Sequence, residues 1–308
     1  MGEKSKFIGE TGEKTVENFL KLIGWETASK GIEFACIKNE EHKKDRTHGL
    51  DFFFSYASPL VDGVLKKISI SVKFTDNQYS SLPSKFKEYF FDLVTSMECF
   101  RFSEQSKNLL SSVTSPYTTS ENIGLLFWLS NENSVHDEII PKLSSVQLPN
   151  TFNYDSFYIV DNRRMEFVFT SITFAQNYSQ SSELFFFYPD TGKNINPTIK
   201  RNFGNILPIE YINGSILPIR LENNQDSSTK LILSTIDSFN IEDLKRLISL
   251  SQDLTKSWPS DVIIAFPDFN VARHTQDVAT AKSSFEDIKF IKNVKVVSYY
   301  SDSKSLQA

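Results

Sequence analysis

The chain has 308 residues and a net charge of −5, a length that fits two domains or one large domain. Hydrophobic residues make up 40% of it, with 27 Phe among them, which indicates a packed core and excludes a disordered protein. Its acidic balance gives no general attraction to nucleic acid. Any such contact must therefore come from a local basic patch or from a partner subunit.

The N-terminal residues lead into no apolar segment, and no run of the sequence approaches the length that crosses a bilayer. We therefore expect a soluble, cytoplasmic protein with no membrane partner. The two cysteines, Cys36 and Cys99, lack metal-ligand spacing, and we interpret both as buried free thiols. The sequence has no glycine-rich phosphate loop, which excludes nucleotide binding of the P-loop kind.

The first predicted element is a helix over residues 11–23, capped by Thr11 and carrying an apolar stripe at helical spacing. Glu10, Glu13 and Glu17 follow one edge of that stripe. Acids in a first helical turn favour the positive helix end, which accounts for Glu10 and Glu17. Glu13 lies nearest the stripe and is the candidate for a functional role.

A strand is predicted over residues 32–37, and a charged run over residues 38–46 follows it. The run is interpreted as a solvated loop, with phosphate contacts by its lysines as the alternative. Further along, the pattern predicts a helix over residues 86–100 and a buried strand over residues 123–129. The Ser/Thr-rich segment between them, residues 102–122, is predicted to be a loop or the site of an insertion.

Two runs rich in β-branched and aromatic residues, 47–54 and 67–74, read as paired strands. Asp62-Gly63 lies between them and is a hairpin signal. The pairing brings Asp51, near the start of one strand, towards Lys73, at the end of the next. The predicted order up to residue 129 is therefore α-β-β-β-α-β.

After residue 131 the pattern changes. Strands are predicted at 157–160, 166–174 and 184–188, and Asn213-Gly214 signals a second hairpin. From residue 230 strands and helices alternate, which indicates parallel crossovers. These last segments are 230–235, 241–255, 261–266, 276–287 and 293–299.

Glu13, Asp51 and Lys73 have the chemistry of a phosphodiesterase. Carboxylate-bound Mg²⁺ neutralises charge on the phosphoryl oxygens. A lysine beside the metal orients or deprotonates the attacking water. The three side chains meet these needs if the first helix packs across the strand ends.

Four short motifs and the element order carry a family resemblance. The motifs are Gly12-Glu13, Gly24-Trp25, His48-Gly49-Leu50-Asp51 and Ser71-Val72-Lys73. On these, roughly residues 7–129 resemble the PD-(D/E)XK nuclease superfamily, and the element order matches its restriction-endonuclease-like core. The resemblance implies that Asp51 is the metal-binding Asp, Lys73 the catalytic lysine and Glu13 the first-helix Glu.

The departure from the family pattern is at Ser71, where a metal-binding acid is expected. Either Glu13 carries the missing charge, or metal affinity is poor, or the site is inactive. If the site is active, Mg²⁺ or Mn²⁺ is expected to be bound by Asp51, Glu13 and the backbone carbonyl of Val72, which lies between Ser71 and Lys73 on the strand.

Other polar residues are candidates for substrate contact. Ser71 and Gln78 are assigned to a substrate cleft, together with Tyr79. His48 either touches a phosphate or is a structural histidine at the strand. The basic pairs Arg163-Arg164 and Lys200-Arg201 are interpreted as solvated surface or nucleic-acid contacts. The remaining histidines are scattered and receive no role: His42, His136 and His274.

We therefore predict an α/β protein with a restriction-endonuclease-like core in residues 1–130 and an α/β accessory domain for recognition or assembly in residues 131–308. The leading hypothesis is a metal-dependent nuclease acting on DNA or RNA. The family resemblance implies a restriction or anti-phage defence complex, with a partner subunit or as a homo-oligomer. The alternative is a catalytically degenerate subunit that binds nucleic acid, senses a signal or has a structural role.

Overall fold

The computed structural model describes residues 2–42, 47–149, 151–194, 201–255 and 258–300. The chain divides into two compact units, Met1–Glu166 and Phe167–Ala308. Each unit contains a mixed β-sheet with helices, so the predicted α/β class is confirmed.

Among the helices in these described ranges, none combines the length and apolar character needed to span a lipid bilayer.

The first unit is built on a five-stranded sheet of order β1-β2-β3-β4-β5. Its elements are α1 (Gly2–Leu22), β1 (Ser29–Ala35), α2 (Asn39–His42), β2 (Thr47–Ala57), β3 (Val64–Thr75), α3 (Leu82–Phe100), α4 (Glu104–Ser111), β4 (Thr119–Ser130), α5 (Ile140–Leu143) and β5 (Ser156–Val160). Strands β1 to β3 are antiparallel, whereas β3, β4 and β5 are parallel. The expected domain boundary near residue 130 falls between β4 and β5 of this one sheet.

Helix α1 begins nine residues earlier than the sequence pattern predicts, at Gly2 instead of Thr11. Thr11 is therefore not a cap, and its hydroxyl donates to the Phe7 carbonyl within the helix at 2.8 Å. The predicted apolar stripe is confirmed as core. Its residues are all buried: Val16, Phe19, Leu20 and Ile23.

Helices α1 and α3 cover opposite faces of the sheet. Neighbouring residues on a strand point to opposite faces. On β2, the Phe53 ring lies 4.8 Å from Phe100 of α3, whereas the Phe54 ring stacks at 5.0 Å on Trp25, which follows α1. The first unit therefore has one hydrophobic core layer on each face of the sheet, and β2 and β3 lie between the two layers.

Strands β2 and β3 separate at one end of their hairpin. Their pairing runs from Ala57–Leu65 to Phe52–Ile70. Beyond that point β3 stays paired with β4 as far as Thr75–Ser130, while β2 continues along β1 as far as Thr47. The sheet therefore forks next to Asp51, and the fork exposes the end of β3 that carries Lys73.

The second unit holds a six-stranded sheet of order β11-β10-β9-β8-β6-β7. Its elements, including helix α6 that enters it from the first unit, are α6 (Asn162–Tyr178), β6 (Ser182–Phe187), β7 (Phe203–Gly204), α7 (Ile209–Ile212), β8 (Ile216–Asn223), β9 (Thr229–Thr235), α8 (Ile241–Thr255), β10 (Asp261–Phe266), α9 (Val271–Ser283), α10 (Ile288–Lys292) and β11 (Val294–Ser298). The parallel pairing of β9, β10 and β11 confirms the predicted crossovers.

Two local predictions for this region are wrong. Residues 166–174 are not a strand but part of α6, because their buried positions recur at helical spacing: Phe167, Val168, Ser171, Ile172 and Ala175. Asn213-Gly214 does not join two strands, because the segment before it is the short helix α7. In the first unit, the segment over residues 102–122 that was predicted as a loop contains helix α4, capped by Ser103.

Candidate active site

Asp51 lies at the fork between β2 and β3. Its Oδ2 accepts a hydrogen bond from the Val72 backbone N–H at 2.6 Å, which bridges the two strands where their ladder has ended. Burial raises the pKa of Asp51, and the nearby Glu13 charge raises it further. The Val72 N–H, the Lys73 ammonium and the Ser71 hydroxyl act in the opposite direction. The four residues that sequence reasoning placed around Asp51 are therefore its electrostatic neighbours.

Lys73 is held in place by two residues of α3. Its Nζ lies 3.1 Å from Asp92 Oδ2 and 5.4 Å from the centre of the Tyr89 ring. The ammonium is thus fixed between a carboxylate and an aromatic face. Sequence reasoning missed Asp92, although a carboxylate inside the apolar run from Phe90 to Val94 was an available signal.

Glu13 reaches the site because α1 packs tightly on β3. A Cβ added at the preceding residue, Gly12, would lie 2.8 Å from Phe74 Cγ and still closer to Phe74 Cβ. Only glycine permits this approach, and Phe74 directly follows Lys73. The Glu13 side chain is 34% exposed, and its Oε2 lies 3.4 Å from Lys30 Nζ.

The other two acids of α1 have different surroundings. Glu17 accepts a hydrogen bond from Lys21 at 2.8 Å, and this bond is the main reason that its pKa falls to about 2. Glu10 is 64% exposed and lies 3.8 Å from Lys6. Of the three acids, Glu13 is the one that acts on Asp51 in the described structure.

A cleft of about 820 Å³ opens beside the end of β3. Gln78 and Tyr79 lie in its wall, as expected, and Lys4 and Lys85 add positive charge. Its lining residues are Lys4, Ile8, Gly9, Val72, Lys73, Phe74, Thr75, Asp76, Asn77, Gln78, Tyr79, Ser80, Lys85, Tyr89 and Trp128. A second cleft of about 610 Å³ also contains Lys73, so the lysine is accessible from two sides.

A match to a family model identifies the family of this chain. The family model described as the GAPS4 protein PD-(D/E)XK nuclease domain matches residues 1–164. The chain belongs to this PD-(D/E)XK nuclease family. The match spans nearly all of the first unit and ends before the second. No curated protein and no solved structure gives a significant match.

The donor set of the PD-(D/E)XK site fits a divalent metal of the magnesium type. Mg²⁺ prefers oxygen ligands, which the Asp51 and Glu13 carboxylates offer. The N–H and C=O of one residue in an extended strand point the same way. The Val72 carbonyl therefore faces the Asp51 side. Burial is the main cause of the raised pKa of Asp51, and the Glu13 charge adds to it; a bound cation would act in the opposite direction.

Two residues of the PD-(D/E)XK domain that were expected to contact substrate, Ser71 and His48, are buried. Ser71 is 7% exposed, and its hydroxyl acts to lower the pKa of Asp51. His48 is 3% exposed and its ring stacks on Phe34 at 5.9 Å. An interior position does not suit contact with a polynucleotide, and His48 is structural in this respect. Tyr79 lines the cleft, but its hydroxyl donates to the Trp128 carbonyl at 2.8 Å.

Arg163 and Arg164 contact acidic residues of the first unit. Arg163 pairs with Glu138, and the Arg164 backbone N–H donates to Asp161 Oδ1 at 3.0 Å. Arg201 is exposed, whereas Lys200 lies outside the described residues, as does the 43–46 part of the charged run.

Proposed function

We propose that the first unit is a divalent-metal-dependent nuclease that hydrolyses phosphodiester bonds of DNA or RNA. The observation that carries this proposal is the position of Asp51 at the fork of the sheet, where its Oδ2 accepts from the Val72 N–H and where the charges of Lys73 and Glu13 act on its pKa. Lys73 lies in the wall of a cleft that also contains Lys4 and Lys85. Lysines along a groove suit the phosphates of a nucleic-acid backbone.

Each residue of the proposed site has a separate role. Asp51, Glu13 and the Val72 carbonyl would hold Mg²⁺ or Mn²⁺. When bound, such a metal neutralises charge on the phosphoryl group and makes water more acidic. Lys73 orients the attacking water and stabilises developing negative charge, because Asp92 and Tyr89 fix its ammonium at the mouth of the cleft.

Ser71 supports a second candidate function. It provides a neutral hydroxyl at the position where the family pattern has an acid, and that hydroxyl acts only to lower the pKa of Asp51. A metal held by only two carboxylates binds weakly. The alternative is therefore a nucleic-acid-binding or sensor subunit that keeps the fold without cleavage.

The second unit supplies recognition or assembly in this proposal. It lies beyond the residues that the nuclease family model matches. GAPS is an anti-phage system, so we place the protein in a defence complex, with a partner subunit or as a homo-oligomer. Its net charge of −5 favours assistance in nucleic-acid binding by such a partner.

The test is a cleavage panel with the purified full-length chain, alone and together with the product of a neighbouring gene. Plasmid, linear DNA and total RNA are each incubated with Mg²⁺, with Mn²⁺ and in metal-depleted buffer. Cleavage that requires added metal supports the nuclease and shows its substrate. Tight binding without cleavage in every arm supports the degenerate subunit instead.

A further inference from the structure

Four side chains from separate parts of the first unit meet on the α3 side of the sheet. They are Cys36 directly after β1, His42 at the end of α2, His48 on β2 and Cys99 on α3, and one ligand atom of each lies within 4.8 Å of the others. We propose that this Cys36–His42–His48–Cys99 cluster binds one Zn²⁺ ion, at a site separate from Asp51.

Four of the six distances within the cluster match the edges of a zinc tetrahedron, and the other two are within 4.8 Å. Bond lengths of about 2.3 Å for Zn–S and 2.05 Å for Zn–N imply edges of about 3.8 Å for S···S, 3.6 Å for S···N and 3.3 Å for N···N. The two Sγ atoms are 3.8 Å apart. His42 Nδ1 lies 3.5 Å and 3.4 Å from Cys36 Sγ and Cys99 Sγ, and 3.3 Å from His48 Nε2.

Hydrogen bonds outside the cluster orient both imidazoles as ligands. Ser96 Oγ donates to the Asp92 carbonyl at 2.7 Å, so its lone pair accepts from His48 Nδ1 at 3.3 Å. His42 Nε2 lies 3.0 Å from Glu98 Oε2 and donates to that carboxylate. Each ring therefore uses one nitrogen as a donor outward and turns the lone pair of the other inward, as metal-binding histidines do.

Charge and burial favour zinc bound in a closed, structural site. Cys36, His48 and Cys99 are 8%, 3% and 0% exposed, and the His42 side chain is 2% exposed. Two thiolates neutralise a dication, which makes its burial tolerable. Four protein ligands of the Cys₂His₂ type leave no position for substrate, and this combination is typical of structural zinc.

The cluster ties together the elements that support the proposed nuclease site. His48 lies on β2, which also carries Asp51, and Cys99 lies on α3, which carries Asp92. A zinc ion here fixes α3 against β2 and so holds the helix that positions Lys73. Its metal is nevertheless independent of the oxygen ligands at the fork.

The first experiment measures zinc in the full-length chain, purified without a metal-affinity tag, by elemental mass spectrometry. One zinc per chain is expected, and it is retained in Asp51→Asn, which separates this site from the proposed nuclease metal. Cys99→Ser loses the stoichiometric zinc. The matched control is His136→Asn, which changes an exposed histidine and keeps it.

A second measurement does not depend on the folding of any ligand variant. Wild-type protein depleted of metal under reducing conditions is titrated with Co²⁺. A tetrahedral thiolate site gives ligand-field bands and a sulfur-to-cobalt charge-transfer band, and zinc abolishes both. Glu98→Gln should weaken zinc binding by about 10–100-fold, as loss of a carboxylate behind a histidine ligand does.

A folded wild-type protein that contains no zinc and gives no cobalt spectrum overturns the proposal. So does a disulfide between Cys36 and Cys99 in freshly prepared protein, because the two sulfurs are then unavailable as ligands. Loss of nuclease activity alone decides nothing about zinc, since metal content and the cobalt spectrum are read without substrate.

Discussion

Helix α1 carries two glycines that make a matched pair for testing how Glu13 reaches the site. A methyl group at Gly12 would overlap Phe74 on β3, whereas a methyl group at Gly9 would meet nothing within 4 Å. Both residues are interior to the same helix. Gly12→Ala therefore tests the contact between α1 and β3, and Gly9→Ala is its control.

The two variants should change stability in opposite directions. Overpacking costs about 1–3 kcal/mol, and replacing a helical glycine by alanine recovers about 1 kcal/mol. The overlapping atom is Phe74 Cβ, which cannot move without its backbone, so Gly12→Ala should lose about 1–2 kcal/mol of unfolding free energy. Gly9→Ala should gain about 0.5–1 kcal/mol.

Thermal unfolding of both variants beside wild type measures this difference. A gap of about 1.5–3 kcal/mol corresponds to a separation of roughly 3–12 °C in Tm for a unit of this size. Gly12→Ala should also reduce cleavage, because α1 moves away from β3 and takes Glu13 with it. Equal stability of the two variants would refute the close packing of α1 on β3.

Other predictions concern the side chains at the fork. Lys73→Ala should lower the cleavage rate by a factor of about 10²–10⁴ while the protein stays folded. As a control in the same cleft, Lys85→Ala should weaken nucleic-acid binding only modestly. Undiminished cleavage by Lys73→Ala would remove Lys73 from the mechanism. Glu13→Gln should raise the Mg²⁺ requirement, and adding Ser71→Glu should partly restore activity; a metal titration in which neither change matters counts against a site with two carboxylates. Burial raises the pKa of Asp51, so the native state keeps the Asp51 proton at pH values where the unfolded chain has already lost it. The free energy of unfolding therefore falls as pH rises above the pKa of Asp51 in the unfolded chain. In metal-free buffer Asp51→Asn should therefore melt higher than wild type at neutral pH, with a gap that shrinks towards acid pH, and a gap that grows on acidification would contradict the sign.

The sequence predicted the elements of the site better than their surroundings. Short alternating runs located β2 and β3, and helical spacing located α1, because these patterns report burial on one face. Asp92 is conspicuous in sequence as a carboxylate inside an apolar run, but its contact with Lys73, like that of Tyr89, depends on how α3 lies across the sheet. No local pattern encodes that packing.

The Cys/His cluster was missed for a similar reason. Cys36, His42 and His48 follow one another at intervals of six residues, but the fourth member, Cys99, is 63 residues from Cys36. A search for closely spaced cysteine pairs does not find such a set. Helix α6 was predicted wrongly for a different reason. Its Phe, Val and Ile residues are typical of a strand, although the buried positions recur at helical spacing.

The most direct test of the account compares cleavage by wild type and Asp51→Asn on the same nucleic acid, with and without Mg²⁺ or Mn²⁺. Metal is withheld with a depleted buffer in place of a strong chelator, so that zinc in the Cys36–His42–His48–Cys99 cluster is left in place. If the first unit is a metal-dependent nuclease with Asp51 as a metal ligand, cleavage occurs only with wild type and only with added metal. Metal-independent cleavage, or equal cleavage by folded Asp51→Asn, would contradict it.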